Sequence, residues 1–307
     1  MRVLITGASG MVGRNVAISP YANKHDLHMP SSDELDLRDY NQTVSYFEAK
    51  EPDLVIHAAG RVGGIQANIA EPVRFLVENL DMGRNVVLAA RKAGVQKLIN
   101  LGSSCMYPRD GVNPLKEDMI LSGELEPTNE GYALAKITTA RICQYISAED
   151  PSMHYKTLIP CNLYGLYDKF DLKRSHMIPA VILKLYQAKL NQVDIVDIWG
   201  DGTARREFMF AEDAADCIWK AAENIETCPA VMNVGLGHDW SINEYYEAIA
   251  EVVGYRGAFE HDLSKPIGMK QKLVDTTLAK NWGWQSSTSL REGLEQTFKF
   301  YCLEIIQ

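Results

Sequence analysis

No apolar run in this chain approaches the roughly 20 residues that a membrane-spanning helix requires. Met1 leads straight into a strand-like segment, so no secretory leader is expected. Basic residues do not predominate: 31 Lys and Arg face 40 Asp and Glu, a formal charge of -9. That balance argues against nucleic acid or an anionic membrane as a general partner. Cysteine is sparse and scattered, at positions 105, 143, 161, 217, 228 and 302, with no Cys-x-x-Cys pair. The scatter points away from a disulfide framework or a zinc site and toward free thiols in a reducing cytoplasm. There is no internal repeat, low-complexity tract or obvious linker. The 307 residues carry enough apolar content for one large or two modest domains.

What is present alternates. Strand-like runs fall at Arg2–Thr6, Leu27–Met29, Leu54–Ala58, Lys97–Leu101, Thr157–Pro160, Ile195–Trp199 and Val231–Val234. Helical patterns fall near Thr43–Lys50, Pro72–Ala93, Tyr132–Ser147, Ile178–Leu190 and Ala211–Asn224. Strands separated by helices of this length imply crossovers and a parallel sheet covered on both faces, a Rossmann-like doubly wound α/β fold. Beyond Gly165 the alternation loosens, which suggests a smaller mixed α/β C-terminal lobe that binds substrate. The expected division is a nucleotide-binding domain over 1–165 with returning segments near 208–235, and a substrate lobe over 166–207 and 236–307.

The first strand runs into Gly7-Ala8-Ser9-Gly10-Met11-Val12-Gly13, three glycines spaced Gly-x-x-Gly-x-x-Gly before a helix-like stretch. Glycines there let the backbone turn tightly and approach a pyrophosphate, whose charge the helix N-terminus stabilises.

Downstream, Tyr132 and Lys136 stand four apart in a helical segment, on one face. The ammonium is expected to pull the phenol pKa down from about 10 toward the working pH. Ser103, just past the strand Lys97–Leu101, can bind the same substrate oxygen. A phenol so placed is a proton donor to a carbonyl undergoing reduction.

Taken together, Thr6–Gly13, His57-Ala58-Ala59-Gly60, Ser103, Tyr132 with Lys136, and Asn162-Leu163-Tyr164-Gly165 resemble the extended short-chain dehydrogenase/reductase family. Val62–Ile65, Leu101–Pro108, Leu125–Glu130, Ser175–Ala180, Trp199–Thr203 and Arg206–Phe208 narrow the resemblance to its GDP-L-fucose synthase group, over nearly the whole chain. The resemblance implies NADPH-dependent conversion of GDP-4-keto-6-deoxy-D-mannose by C3 and C5 epimerisation, then C4 reduction. It adds Cys105 and His176 to the catalytic set, sharing proton removal and return in an order the sequence leaves open. A ketone at C4 acidifies the C–H bonds at C3 and C5, so a thiol and an imidazole suit that work.

The resemblance further implies cofactor contacts at Ser9, Met11, Val12, Asp36, Leu37, Ala58, Ala59, Pro160, Asn162, Leu163 and His176, with His57 and Asn162 as orienting residues. Lys184, Arg206 and Lys265 match positions that contact the GDP diphosphate, and Trp199 is expected to line the nucleotide-sugar cleft, with a core tryptophan at a strand end as the alternative. No acid stands at the end of the second strand, which favours NADP(H); the arginines that grip its phosphate in relatives are replaced by Ser9 and Pro30–Ser32, so NAD(H) use stays open. Gly131 is expected to loosen the approach to Tyr132, and Arg61 is bulky for a loop near the site. These departures fit a related GDP-4-keto sugar of a colitose or heptose pathway as the alternative substrate, or a C4 reductase alone. A homodimer through the helices Pro72–Ala93 and Tyr132–Ser147 is also implied.

Overall fold

The computed structural model describes residues 1–172, 175–265 and 269–305. Along the chain, β1 (Arg2–Thr6), α1 (Met11–Ile18), β2 (Asp26–His28), α2 (Tyr40–Lys50), β3 (Leu54–His57), α3 (Ile65–Ala70), α4 (Pro72–Lys92), β4 (Lys97–Leu101), α5 (Glu130–Glu149) and β5 (His154–Pro160) come first. Next are β6 (Asn162–Tyr164), α6 (Met177–Leu190), β7 (Ile195–Trp199), β8 (Arg205–Arg206), β9 (Phe208–Phe210), α7 (Ala211–Glu223) and β10 (Val231–Val234). The last stretch holds β11 (Trp240–Ser241), α8 (Ile242–Val253), β12 (Ala258–Asp262), β13 (Gln271–Lys272), α9 (Thr277–Asn281) and α10 (Leu290–Glu304).

Six strands form one parallel sheet in the order β10-β5-β4-β3-β1-β2. Its strands are apolar on both faces because both are covered. Val3, Ile5, Leu54, Ile56 and Ile99 enter one core, toward α1 and α7, while Leu4, Val55 and Leu98 enter the other, toward α2 and α4. Successive side chains pointing to opposite faces produce this division. A third core gathers α6, α8 and α10 around Ile178, Leu185, Tyr245, Ile249, Leu294 and Tyr301. The parallel pairs β6–β9 and β7–β12, and the sheet β11-β8-β13, surround it.

The helices α8 and α10 lie outside the pattern read from sequence. Both carry a serine cap: Ser241 Oγ accepts from Glu244 N, and Ser289 Oγ from Glu292 N. The buried carboxylate of Glu207 ties the segments after β10 and β13 together, accepting from the backbone N–H of Leu236, Gly237 and Val274 at 2.6, 2.8 and 2.9 Å.

Candidate active site

The turn after β1 is shaped for a close-approaching ligand. Gly7 has φ +73, and a Cβ there would stand 2.6 Å from the backbone of Ala59. A Cβ on Gly13 would stand 2.2 Å from the Gly7 carbonyl oxygen, so the helix start packs against the loop only because both residues are glycine. Gly10 caps α1, whose first turn holds no acidic residue, leaving its N–H groups and dipole available to an anion. The residues present therefore fit a dinucleotide. Met11, Val12 and Ala58 pack against the core beside this loop, and Ala59 and Leu163 are buried.

Where the sequence reading places the adenosine, at Asp36 and Leu37, the side chains are already engaged. Asp36 accepts Arg38 Nε and Nη2 at 2.8 Å each, and the Leu37 carbonyl accepts Asn85 Nδ2 at 2.9 Å. Ser31 donates its N–H and its hydroxyl to Glu34 Oε2, both at 2.9 Å. Glu34 thus places a carboxylate on Ser31, in the segment after β2.

His57 ends β3 with Nδ1 2.8 Å from Thr6 Oγ1. Burial, then the charge of Lys136, pushes its pKa down to about 3, so the imidazole is neutral. Lys136 is buried; its Nζ donates to the Leu101 carbonyl at 2.9 Å, and burial pushes its pKa down to about 8. The ammonium lies 5.9 Å from the Tyr132 ring centroid.

The expectation that Lys136 lowers the Tyr132 pKa is not met in this arrangement. The phenol is raised above its ordinary value, by burial first and by Cys105 second, while the nearby Ser103 hydroxyl works the other way. Desolvation outweighs a cation that is itself hydrogen-bonded elsewhere.

Ser103 caps the short turn Ser104–Met106, accepting from Cys105 N at 3.3 Å. This turn carries the thiol of Cys105 next to the Ser103–Tyr132 pair. Cys105 Sγ accepts from Asn129 Nδ2 at 3.2 Å and from Lys272 Nζ at 3.4 Å. His176, the residue before α6, is exposed; desolvation first and the charge of Lys272 second lower its pKa.

The anion-binding candidates divide. Arg206 on β8 is held by the Arg205 carbonyl at 2.8 Å, and burial lowers its pKa. Lys184 pairs with Asp197 at 2.8 Å. Lys265 Nζ stands 5.6 Å over the ring of Trp199, which is 52% exposed and open to a stacking partner. Pro160 and Asn162 flank the β5–β6 junction, where Asn162 Nδ2 donates to the Glu207 carbonyl at 3.0 Å.

Two sequence departures have structural explanations. A Cβ on Gly131 would meet Leu76 Cβ and the Pro72 carbonyl at 3.1 Å, so this glycine lets α5 approach α4 rather than loosening the site. Arg61 is turned toward α4, paired with Glu71 at 2.6 Å and Glu78 at 3.4 Å. Sequence reasoning missed Lys272, which lies in a short polar stretch without a motif. Among the described residues no group of His, Cys, Asp and Glu could hold a metal ion, and no helix is long and apolar enough to cross a membrane.

Comparison with known proteins agrees with this geometry. Residues 3–235 match the NAD dependent epimerase/dehydratase family. A GDP-L-colitose synthase from Yersinia pseudotuberculosis is 53% identical over 304 residues, covering 99% of each chain. A GDP-L-fucose synthase from Azorhizobium caulinodans is 49% identical over 300 residues, covering 98% of this chain and 96% of its own. Among solved structures, a GDP-mannoheptose C4 reductase from Campylobacter jejuni with NADP bound superposes with a TM-score of 0.88 at 28% identity, covering 98% of both chains.

Proposed function

The chain belongs to the NAD dependent epimerase/dehydratase family, and on that premise we propose that it is an NADPH-dependent epimerase/reductase acting on GDP-4-keto-6-deoxy-D-mannose to give GDP-L-fucose. The observation that carries this reading is the thiol of Cys105 set on the same short turn as Ser103, both near enough to the Tyr132 phenol to shift its pKa. Carbonyl polarisation and carbon acid chemistry then meet at one C4 ketone.

The glycine loop Gly7–Gly13 would hold the pyrophosphate of the cofactor, and the Asp36–Leu37 segment would border its adenine. NADPH when bound supplies hydride for C4. A relative solved with NADP supports that choice. Ser103 and Tyr132 grip the C4 oxygen, and Tyr132 protonates it during reduction. Before reduction, the carbonyl so polarised lets C3 and C5 lose a proton, the electron pair moving into the C4 oxygen. Cys105 and His176 remove and return these protons from opposite faces. Arg206 binds the diphosphate, with Lys184, Lys265 and Trp199 around the nucleotide.

The similarity to a GDP-L-colitose synthase favours a second reading, in which the substrate lacks the C3 hydroxyl and only C5 is inverted. Exposed apolar side chains on α4 and α5, Val73 at 71%, Val77 at 45% and Leu134 at 38%, support a homodimer through these helices. The chemistry is tested by one reaction in heavy water with NADPH and GDP-4-keto-6-deoxymannose, read by NMR. Deuterium at C3 and C5 with reduction at C4 is expected. Protium retained at both carbons of a reduced product would leave a simple 4-reductase, and turnover confined to the 3,6-dideoxy substrate would select the second reading.

A further inference from the structure

Lys272 reaches the site from 167 residues away in sequence to place its ammonium 3.4 Å from the sulfur of Cys105. The strand that delivers it is held on several sides. Arg205 N donates to the Lys270 carbonyl at 2.8 Å, Leu273 N to Asn113 Oδ1 at 2.7 Å, and Val274 N to the buried Glu207 carboxylate at 2.9 Å. In the β13–β8 ladder, Lys272 stands in register with Arg206. Among the described residues, the hydrogen-bond partner of this ammonium is a sulfur, and no carboxylate pairs with it. A lysine kept only for solubility has no reason to be so anchored.

We propose that Lys272 is a positioning residue for the epimerisation half-reaction, fixing the Cys105 sulfur and balancing the negative charge that it carries during proton transfer. The contact stands on geometry alone; its use in epimerisation rests on the function proposed above. Whichever of Cys105 and His176 removes the proton, the sulfur is a thiolate for part of the cycle. A cation at hydrogen-bond distance stabilises that form. The same charge disfavours the imidazolium of His176, so one lysine biases where the shared proton resides. The titratable groups packed about this pair are Tyr132 from α5, His176 at the start of α6 and, beside Lys272, Arg206 from β8.

The test is peptide-resolved alkylation of the full chain by iodoacetamide from pH 6 to 9.5. Cys302, the other partly exposed thiol, is the internal reference. Relative to Cys302, Lys272→Met is expected to slow Cys105 alkylation at pH 7 about tenfold, while Lys272→Arg restores it to within about threefold. Deuterium wash-in from heavy water should fall in parallel, with NADPH affinity unchanged. An unaltered Cys105 to Cys302 ratio in a folded Lys272→Met protein overturns the proposal. Should Lys272→Met not fold, Lys272→Gln and the charge-keeping Lys272→Arg take its place, and equal alkylation in the two overturns the proposal. Lysine-dependent alkylation in a protein that exchanges no deuterium with either GDP-4-keto sugar upholds the contact and rejects the substrate reading instead.

Discussion

Lys136 gives one of its ammonium protons to the Leu101 carbonyl at 2.9 Å, tying the helix that carries Tyr132 to the strand end that leads into Ser103. The bond holds a charged group inside the protein at a cost. With the folded pKa pushed down to about 8 from 10.5, the unfolded chain binds a proton that the folded one lacks between these values. Stability therefore rises with pH across that window, and below pH 8 the whole penalty is present. Lys136→Met should stabilise the ligand-free protein at pH 7 by about 1–3 kcal/mol, after allowing for the carbonyl left without its donor. The gain should shrink as pH approaches 10.5. Paired urea titrations of the two proteins at pH 7 and pH 10 measure it; a constant difference would refute the linkage.

Reduction and epimerisation should separate by mutation. Tyr132→Phe removes the proton donor for C4 and is expected to lower the reduction rate by about 10²–10⁴-fold, leaving deuterium wash-in partly intact. Cys105→Ser or His176→Asn should do the opposite, blocking wash-in while NADPH still binds. NADPH absorbance and product NMR from the same samples read both.

At the glycine loop, Gly13→Ala should reduce NADPH affinity by about tenfold or more, because its Cβ would fall 2.2 Å from the Gly7 carbonyl oxygen. Titration calorimetry on the folded variant checks it. Unchanged affinity would mean that the dinucleotide lies elsewhere.

Glu34 offers a handle on cofactor choice. Its carboxylate is latched onto the N–H and hydroxyl of Ser31, where a 2′-phosphate would seek donors. Glu34→Gln is expected to raise kcat/KM for NADPH over NADH by about three- to tenfold, more at low salt than at high. A ratio that does not move would place the phosphate away from Ser31.

If α4 and α5 form a two-fold contact, Val73→Glu with Val77→Glu should give a monomer by light scattering at concentrations where the parent is a dimer. A parent that is already monomeric would end that reading.

Much of the fold was legible because its signals are local. The apolar strands, the glycine spacing and the four-residue step from Tyr132 to Lys136 each lie within one short segment. The helices α8 and α10 also announced themselves locally, through Ser241 with Glu244 and Ser289 with Glu292. Two features were beyond reach of local reading. The raised pKa of Tyr132 depends on how much water the fold removes, not on helical spacing. Lys272 meets Cys105 only through the register of β13 on β8, which no nearby residue in sequence announces.

The placement of β13 bears on how such enzymes diverge. Ser103, Tyr132 and Lys136 are all supplied by β4, α5 and the loop between them, beside the large sheet. Lys272 and Arg206 arrive on a three-stranded sheet anchored by one buried carboxylate, Glu207. If Lys272 positions Cys105 as proposed, drift in β13 would alter inversion while the groups assigned to reduction are inherited intact. A graft of that segment from a relative with another sugar is a route to new stereochemistry that leaves hydride transfer alone.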